Sequence, residues 1–138
     1  MAGRGGQLPL RLWPLHGIPE VRRGDDLPRL LADAAAEQGV QVGDVLIVAH
    51  KVVSKSEGRV VALDEVEAGP EARRLADETG KPPGLCELIL AESARIVRRR
   101  GGTLICETHH GFVCAHAGID RSNVAKGLAL LLPRDPDA

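Results

Sequence analysis

A chain of 138 residues is long enough to bury a core within one domain and leaves little room for a second. Its 43% hydrophobic and 27% charged content, with a formal net charge of -1, excludes a disordered tail and a basic nucleic-acid binder. One Trp, one Phe and no Tyr exclude the aromatic platforms that stack single-stranded bases, so no nucleic-acid partner is expected and the core must be aliphatic.

In chain order, residues 1–7 are Gly-rich and polar, a loose start before an extended stretch from Leu8 to Leu15 that Pro9 and Pro14 interrupt. A turn follows at His16-Gly17-Ile18-Pro19. Asp25 or Asp26 caps a predicted helix whose apolar positions Leu27, Leu30, Leu31 and Ala34 keep the 3.6-residue period, and Gly39 suits its left-handed exit. Gly43-Asp44 then leads into Val45-Leu46-Ile47-Val48-Ala49, a β-branched run that predicts a strand buried on both faces, with His50 to Lys55 in the loop at its carboxyl end. Arg59 to Leu63 predicts a further strand. Pro70 opens a short helix ending near Gly80, and a second helix follows Pro82-Pro83, with Leu85, Leu88, Ile89, Ser93 and Ile96 on one face and Arg98 to Arg100 at its end, where cations favour the helix dipole. Gly101-Gly102 release two extended runs, Thr103–Thr108 and Gly111–Ala115, joined at His109-His110 as a hairpin. Leu128 to Leu132 is the last strand. The sum is an α+β fold, a mixed β-sheet with about three helices.

Cys86, Cys106 and Cys114 have no C-x-x-C spacing, so buried thiols in a reducing, cytoplasmic setting are expected. No segment reaches the roughly 20 apolar residues of a bilayer span, and no membrane association is expected.

Four polar segments stand beside predicted strands, where scaffolds display functional groups: His16 to Val21, His50 to Lys55, His109-His110 and Gly118 to Asn123. Lys51 and Lys55 supply point charges suited to a polyphosphate, although solvated surface lysines are the plainer reading. Asp120 suits a hard divalent cation held by one carboxylate plus phosphates, while an Asx turn or helix cap explains it more simply. There is no G-x-x-x-x-G-K-[ST] string, so no P-loop is present. His109 and His110 point to opposite faces of an extended chain, which argues against zinc, and Cys114 in an apolar strand reads as an inert thiol rather than a nucleophile.

Three strings resemble one family: L-H-G-I-P at Leu15–Pro19, G-D-V-L-I-V-A-H-K-V-V-S-K-S-E-G-R-V at Gly43–Val60, and E-T-H-H-G-F-V-C-A-H-A-G-I-D-R-S-N-V at Glu107–Val124. In order and spacing they are similar to the coenzyme F420-0:γ-glutamyl ligases, and the likeness runs from about Leu10 to Ala138. The resemblance implies GTP-dependent addition of L-glutamate to F420-0 through a γ-linked amide. It places Ile18, Pro19, Glu20, Val21, His50, Lys51, Lys55 and Asn123 at GTP, and Asp120 on a divalent metal, Mg2+ or Mn2+, with K+ as an optional further ion. It also implies an intertwined homodimer of mixed α and β structure, and a longer chain, of which residues 1–138 are the N-terminal portion of the ligase domain. Further metal ligands, an Asp-Thr pair among them, are expected in the other half, which this chain must meet on the same or another polypeptide. His116 stands where the family usually has Asn, and His50 where Gln is common. Alternatives of another class are a non-catalytic nucleotide-binding or assembly module, or an inactive remnant.

Overall fold

The computed structural model describes residues 10–135, and its helices start and stop where backbone chemistry requires. Helix α1 (Leu27–Glu37) begins at Asp26, whose Oδ1 accepts the Arg29 N–H at 3.1 Å and satisfies a donor that the first turn leaves open. Helix α2 (His50–Ser56) ends in Gly58, at φ +71, whose N–H donates to the Lys55 carbonyl at 3.0 Å. Helix α3 (Pro70–Thr79) has Pro at its first position and the left-handed Gly80 as its cap, and α4 (Pro83–Ala91) again starts on Pro.

The strands form two antiparallel sheets. β1 (Val60–Ala62) pairs with β5 (Leu128–Leu130), while β2 (Ser93–Arg100), β3 (Thr103–Thr108) and β4 (Val113–Ala115) form a meander in the order β2-β3-β4. The α+β expectation holds, with four α-helices among the described residues. Helices α3 and α4 pack together over the meander, and Leu75, Cys86, Ile89, Leu104 and Cys106 fill the space with almost no exposure. Burying a side chain such as Ile89 or Leu104 stabilises the fold by about 1.5–3 kcal/mol. The ion pair of Arg59 with Glu92, at 2.6 Å, ties the residue after α4 to the start of β1. Among the described residues no helix is long and apolar enough to cross a membrane.

Three expectations need correction. Val45–Ala49 is not a buried strand: it has no strand partner among the described residues, and Val45 and Ile47 are 85% and 81% exposed. A β-branched run becomes a strand only when a neighbour supplies its hydrogen bonds, and here both sheets and the core lie elsewhere. The His50 to Lys55 loop is helical, as α2. The second predicted helix stops at Ala91, and the arginines lie on β2 instead of at a helix end. Ser93 Oγ donates to the Ile89 carbonyl at 2.5 Å at that break, and Arg100 pairs with Thr103 across the two-glycine turn, so the hairpin claims these residues. The expectations for residues 1–9 and 136–138 lie outside the described residues.

Gly84 allows α4 to approach the backbone after β1, because a β-carbon there would overlap the Leu63 carbonyl oxygen. We expect Gly84→Ala to lower unfolding free energy by about 1–3 kcal/mol through overpacking and Leu104→Ala by about 2–5 kcal/mol through a core cavity, both read from urea denaturation. A neutral Gly84→Ala would mean that the helix is not seated on that carbonyl.

Candidate functional site

The expected site residues come from three segments that are distant in sequence. Ile18–Val21 precedes α1, Lys51 and Lys55 are on α2, and Asp120 and Asn123 follow the turn after β4. Spacing of i, i+4 puts the two lysines on one face of α2. The third segment reaches them because Asp120 is bonded to β5 in both directions: its N–H donates to the Leu130 carbonyl at 2.9 Å, and its carbonyl accepts the Leu130 N–H at 2.8 Å. Helix α2 packs on β5, so the carboxylate is delivered to the helix surface.

There Lys51 Nζ forms an ion pair with Asp120 Oδ2 and donates to Ser122 Oγ at 3.1 Å. With the Asn123 amide oriented by its hydrogen-bond partners, its oxygen accepts from the same ammonium at 2.9 Å. Asp120 Oδ1 also accepts the Ser122 N–H at 2.7 Å, and Oδ2 accepts the Ser122 hydroxyl at 3.0 Å. The Asx turn is therefore present, and the same carboxylate meets Lys51. The Lys51 ammonium, followed by the Ser122 N–H and hydroxyl, holds the Asp120 carboxyl well below the usual carboxylate range. Lys55 Nζ lies 2.5 Å from Glu20 Oε1, and this partner lowers the Glu20 pKa.

Two grooves meet at Lys55, Glu20 and Val21. One, of about 530 Å³, is lined by Lys55, Ser122, Asn123, Arg23 and Val60. The other, of about 350 Å³, is lined by Ile18, Pro19, Leu31, Val52 and Lys55. Val21 is buried and acts as a wall between them. His50 is exposed at the first position of α2 and lines neither groove. Ser122 is expected from the sequence only as a turn or cap residue, and Arg23 is not singled out at all. The Asp-x-Ser spacing signals the Asx turn that Ser122 completes, whereas an arginine in a turn carries no local signal.

Among the described residues no three His, Cys, Asp or Glu side chains converge as a metal cage. Asp120, with the Ser122 and Asn123 oxygens beside it, fits a hard cation that draws its remaining ligands from phosphates and water. His109 Nε2 and His110 Nε2 are each 2.9 Å from a carbonyl, of Ala91 and Arg134 respectively. Burial pushes the Cys114 thiol up, which disfavours the thiolate.

A folded-state carboxyl pKa below the unfolded value, about 4 for Asp, contributes stability above that value and loses it as pH falls through the folded one. We therefore expect Asp120→Asn to be less stable than the parent at pH 7, with the difference shrinking only below about pH 4, as followed by urea unfolding across pH. A gap that is constant down to pH 2 would break the link to Asp120 ionisation.

The sequence profile of the F420-0:Gamma-glutamyl ligase family matches residues 17–138. The chain is 48% identical over 125 residues to the coenzyme F420:L-glutamate ligase of Methanothermobacter thermautotrophicus, covering 89% of this chain and 50% of that protein. It is 47% identical over 133 residues to the Methanopyrus kandleri protein of the same name, covering 96% and 52%, and 40% identical over 120 residues to that of Methanocaldococcus jannaschii, covering 87% and 47%. The chain spans about half the length of the curated relatives it matches. With two thirds and more of its residues aligned at these identities and a family profile running across residues 17–138, the chain belongs to the F420-0:γ-glutamyl ligase family.

Proposed function

We propose that this chain carries the nucleotide and cation half-site of a ligase that joins L-glutamate to coenzyme F420-0 through a γ-linked amide, with GTP and Mg2+ or Mn2+ as co-substrate and cofactor. The observation that carries the reading is the convergence of Lys51, Asp120 and Asn123 at one point, with Lys55 one turn further along the same helix face. Two ammonium groups, an amide and a carboxylate that is ionised at neutral pH are the groups needed to hold a polyphosphate and its cation.

In the reaction, an acceptor carboxylate oxygen attacks the γ-phosphorus of GTP, and the bond to the β-phosphate oxygen breaks as GDP leaves. The glutamate amine then attacks the carbonyl of the acyl phosphate, loses a proton, and inorganic phosphate departs with its bonding pair. Lys51 and Lys55 neutralise charge on the transferring group, and Asn123 and Ser122 orient it, so the contribution of this chain is positioning and electrostatics. The bound cation supplies further charge neutralisation. Ile18, Pro19 and Val52 form an apolar groove suited to a nucleotide base or sugar.

The reading assigns residues 1–138 to the N-terminal portion of the ligase domain, in a protein that works as a homodimer in the cytoplasm. Polypeptide equivalent to the relatives' remaining length covers the apolar strip formed by Leu10, Leu12, Val42, Val45 and Ile47, all more than 75% exposed here.

Calorimetric titration of the chain with GTP and Mn2+ tests the half-site. We expect metal-dependent binding that weakens by tenfold or more, about 1.4 kcal/mol, in Asp120→Ala and in Lys55→Ala. Mixing the chain with the C-terminal half of the Methanothermobacter thermautotrophicus relative should then yield glutamylated F420-0 by mass spectrometry. GTP binding that ignores both Mn2+ and Asp120→Ala would instead favour a non-catalytic module, and no glutamyl product from the mixture would sink the ligase reading.

A further inference from the structure

The larger groove has a cationic wall that the ligase reading leaves unused. Residues Arg22 to Asp25 form a turn in which the Arg22 N–H donates to Asp25 Oδ2 at 2.7 Å and the Asp25 N–H donates to the Arg22 carbonyl at 3.1 Å. The Gly24 N–H donates to the Ser56 carbonyl at 2.9 Å, which fastens the turn to the end of α2. From it the Arg23 side chain runs across Gly58, close enough that a β-carbon at Gly58 would lie 2.5 Å from Arg23 Cδ and 2.8 Å from Nε. The left-handed Gly58 therefore ends α2 and also leaves the space in which Arg23 lies.

Charge accounting points the same way. The charged side chains lining this groove are Glu20, Arg22, Arg23 and Lys55. Glu20 pairs with Lys55 and also feels the Arg22 charge at longer range, while neither guanidinium makes a direct ion pair or hydrogen bond among the described residues, so three cations against one carboxylate leave a net two positive charges in the groove lining. Arg59, Arg95 and Arg99, by contrast, each meet a glutamate. Below these charges the wall is apolar, with Val60, Val124 and Leu128. A planar guanidinium presents parallel N–H donors that match a carboxylate or phosphate, and a concave apolar wall with one charged edge suits a ligand with a hydrophobic body and an anionic end.

We propose that Arg23, supported by Arg22, is an oxyanion-binding residue of this groove, recognising a carboxylate or phosphate on a ligand whose body rests against Val60, Val124 and Leu128. The identity of that ligand rests on the ligase reading, and its oxyanion comes either from the nucleotide or from the acid-bearing acceptor. The site itself stands on the anchored turn and on the Arg23 guanidinium beside the groove.

The whole chain, labelled with 15N, is titrated with inorganic pyrophosphate in the absence of metal. We expect the Arg23 Nε–H resonance to shift, and Arg23→Gln to weaken pyrophosphate binding at least tenfold with Arg23→Lys recovering part, at unchanged thermal melting temperatures. Parallel titrations with GTP plus Mn2+ and with F420-0 then separate the sources, a tenfold loss confined to one of them in Arg23→Gln assigning the oxyanion to it. An unmoved Arg23 resonance, or wild-type affinity of Arg23→Gln for all three probes, overturns the proposal. Pyrophosphate binding through Arg23 in a chain that binds neither GTP nor F420-0 would uphold the site and discard the ligase reading.

Discussion

The reciprocal backbone bonds between Asp120 and Leu130 are the constraint on which the rest of the site depends. Leu130 is fully buried and paired with Val60 on its other edge, so its position follows from the β1–β5 sheet. Through those two bonds the sheet places a carboxylate that is 120 residues along the chain beside a lysine at position 51. The contact itself is about a quarter exposed to water, so solvent screens part of its strength. Its importance is geometric: a rigid, bonded backbone carries the acid, and a helix packed on the same sheet carries the base.

Much of the fold could be read where local chemistry and tertiary structure agree. The Asp26 cap, the prolines opening α3 and α4 and the left-handed Gly80 are backbone requirements with few alternatives, and α1, α3 and the β3–β4 hairpin follow from them. Errors arose where periodicity alone was used. Ile96 continues the apolar face of α4, yet Gly101-Gly102 is an equally local hairpin signal, and the hydrogen bonds available from β3 decide between them. Val45–Ala49 fails for the opposite reason, since its composition asks for a partner strand that these residues do not provide. For the site, composition offered only lysines and an aspartate with ordinary surface explanations, and the resemblance of three strings singled out the particular ones. Convergence of Lys51 with Asp120 and Asn123 is a tertiary fact that no window of sequence contains. Arg23 was invisible because its significance lies in Gly58, more than thirty positions away.

The turn that delivers Asp120 is conformationally unusual. His116 and Ala117 have φ of +53 and +54, and Gly118 has +73, giving three consecutive left-handed residues of which only the last lacks a β-carbon. Each non-glycine residue there costs on the order of 1–2 kcal/mol relative to a right-handed conformation. The surroundings impose it: Ala117 is buried in the main core, and a β-carbon on Gly118 would strike the Leu132 side chain at 2.8 Å. His is among the residues that tolerate this region best, so a histidine at position 116 suits the conformation that the turn imposes.

On the proposed ligase reading, the ion pair at Asp120 would also govern the order in which charges arrive. A free divalent cation approaching this carboxylate would find it already neutralised by the Lys51 ammonium, so the ion pair would weaken the pull on the ion alone. An anion that drew Lys51 toward itself would uncover the carboxylate, and thermodynamic reciprocity would then require the cation to favour the anion by the same factor. A site built this way would select for the two together, rejecting stray metal without needing a cage to exclude it.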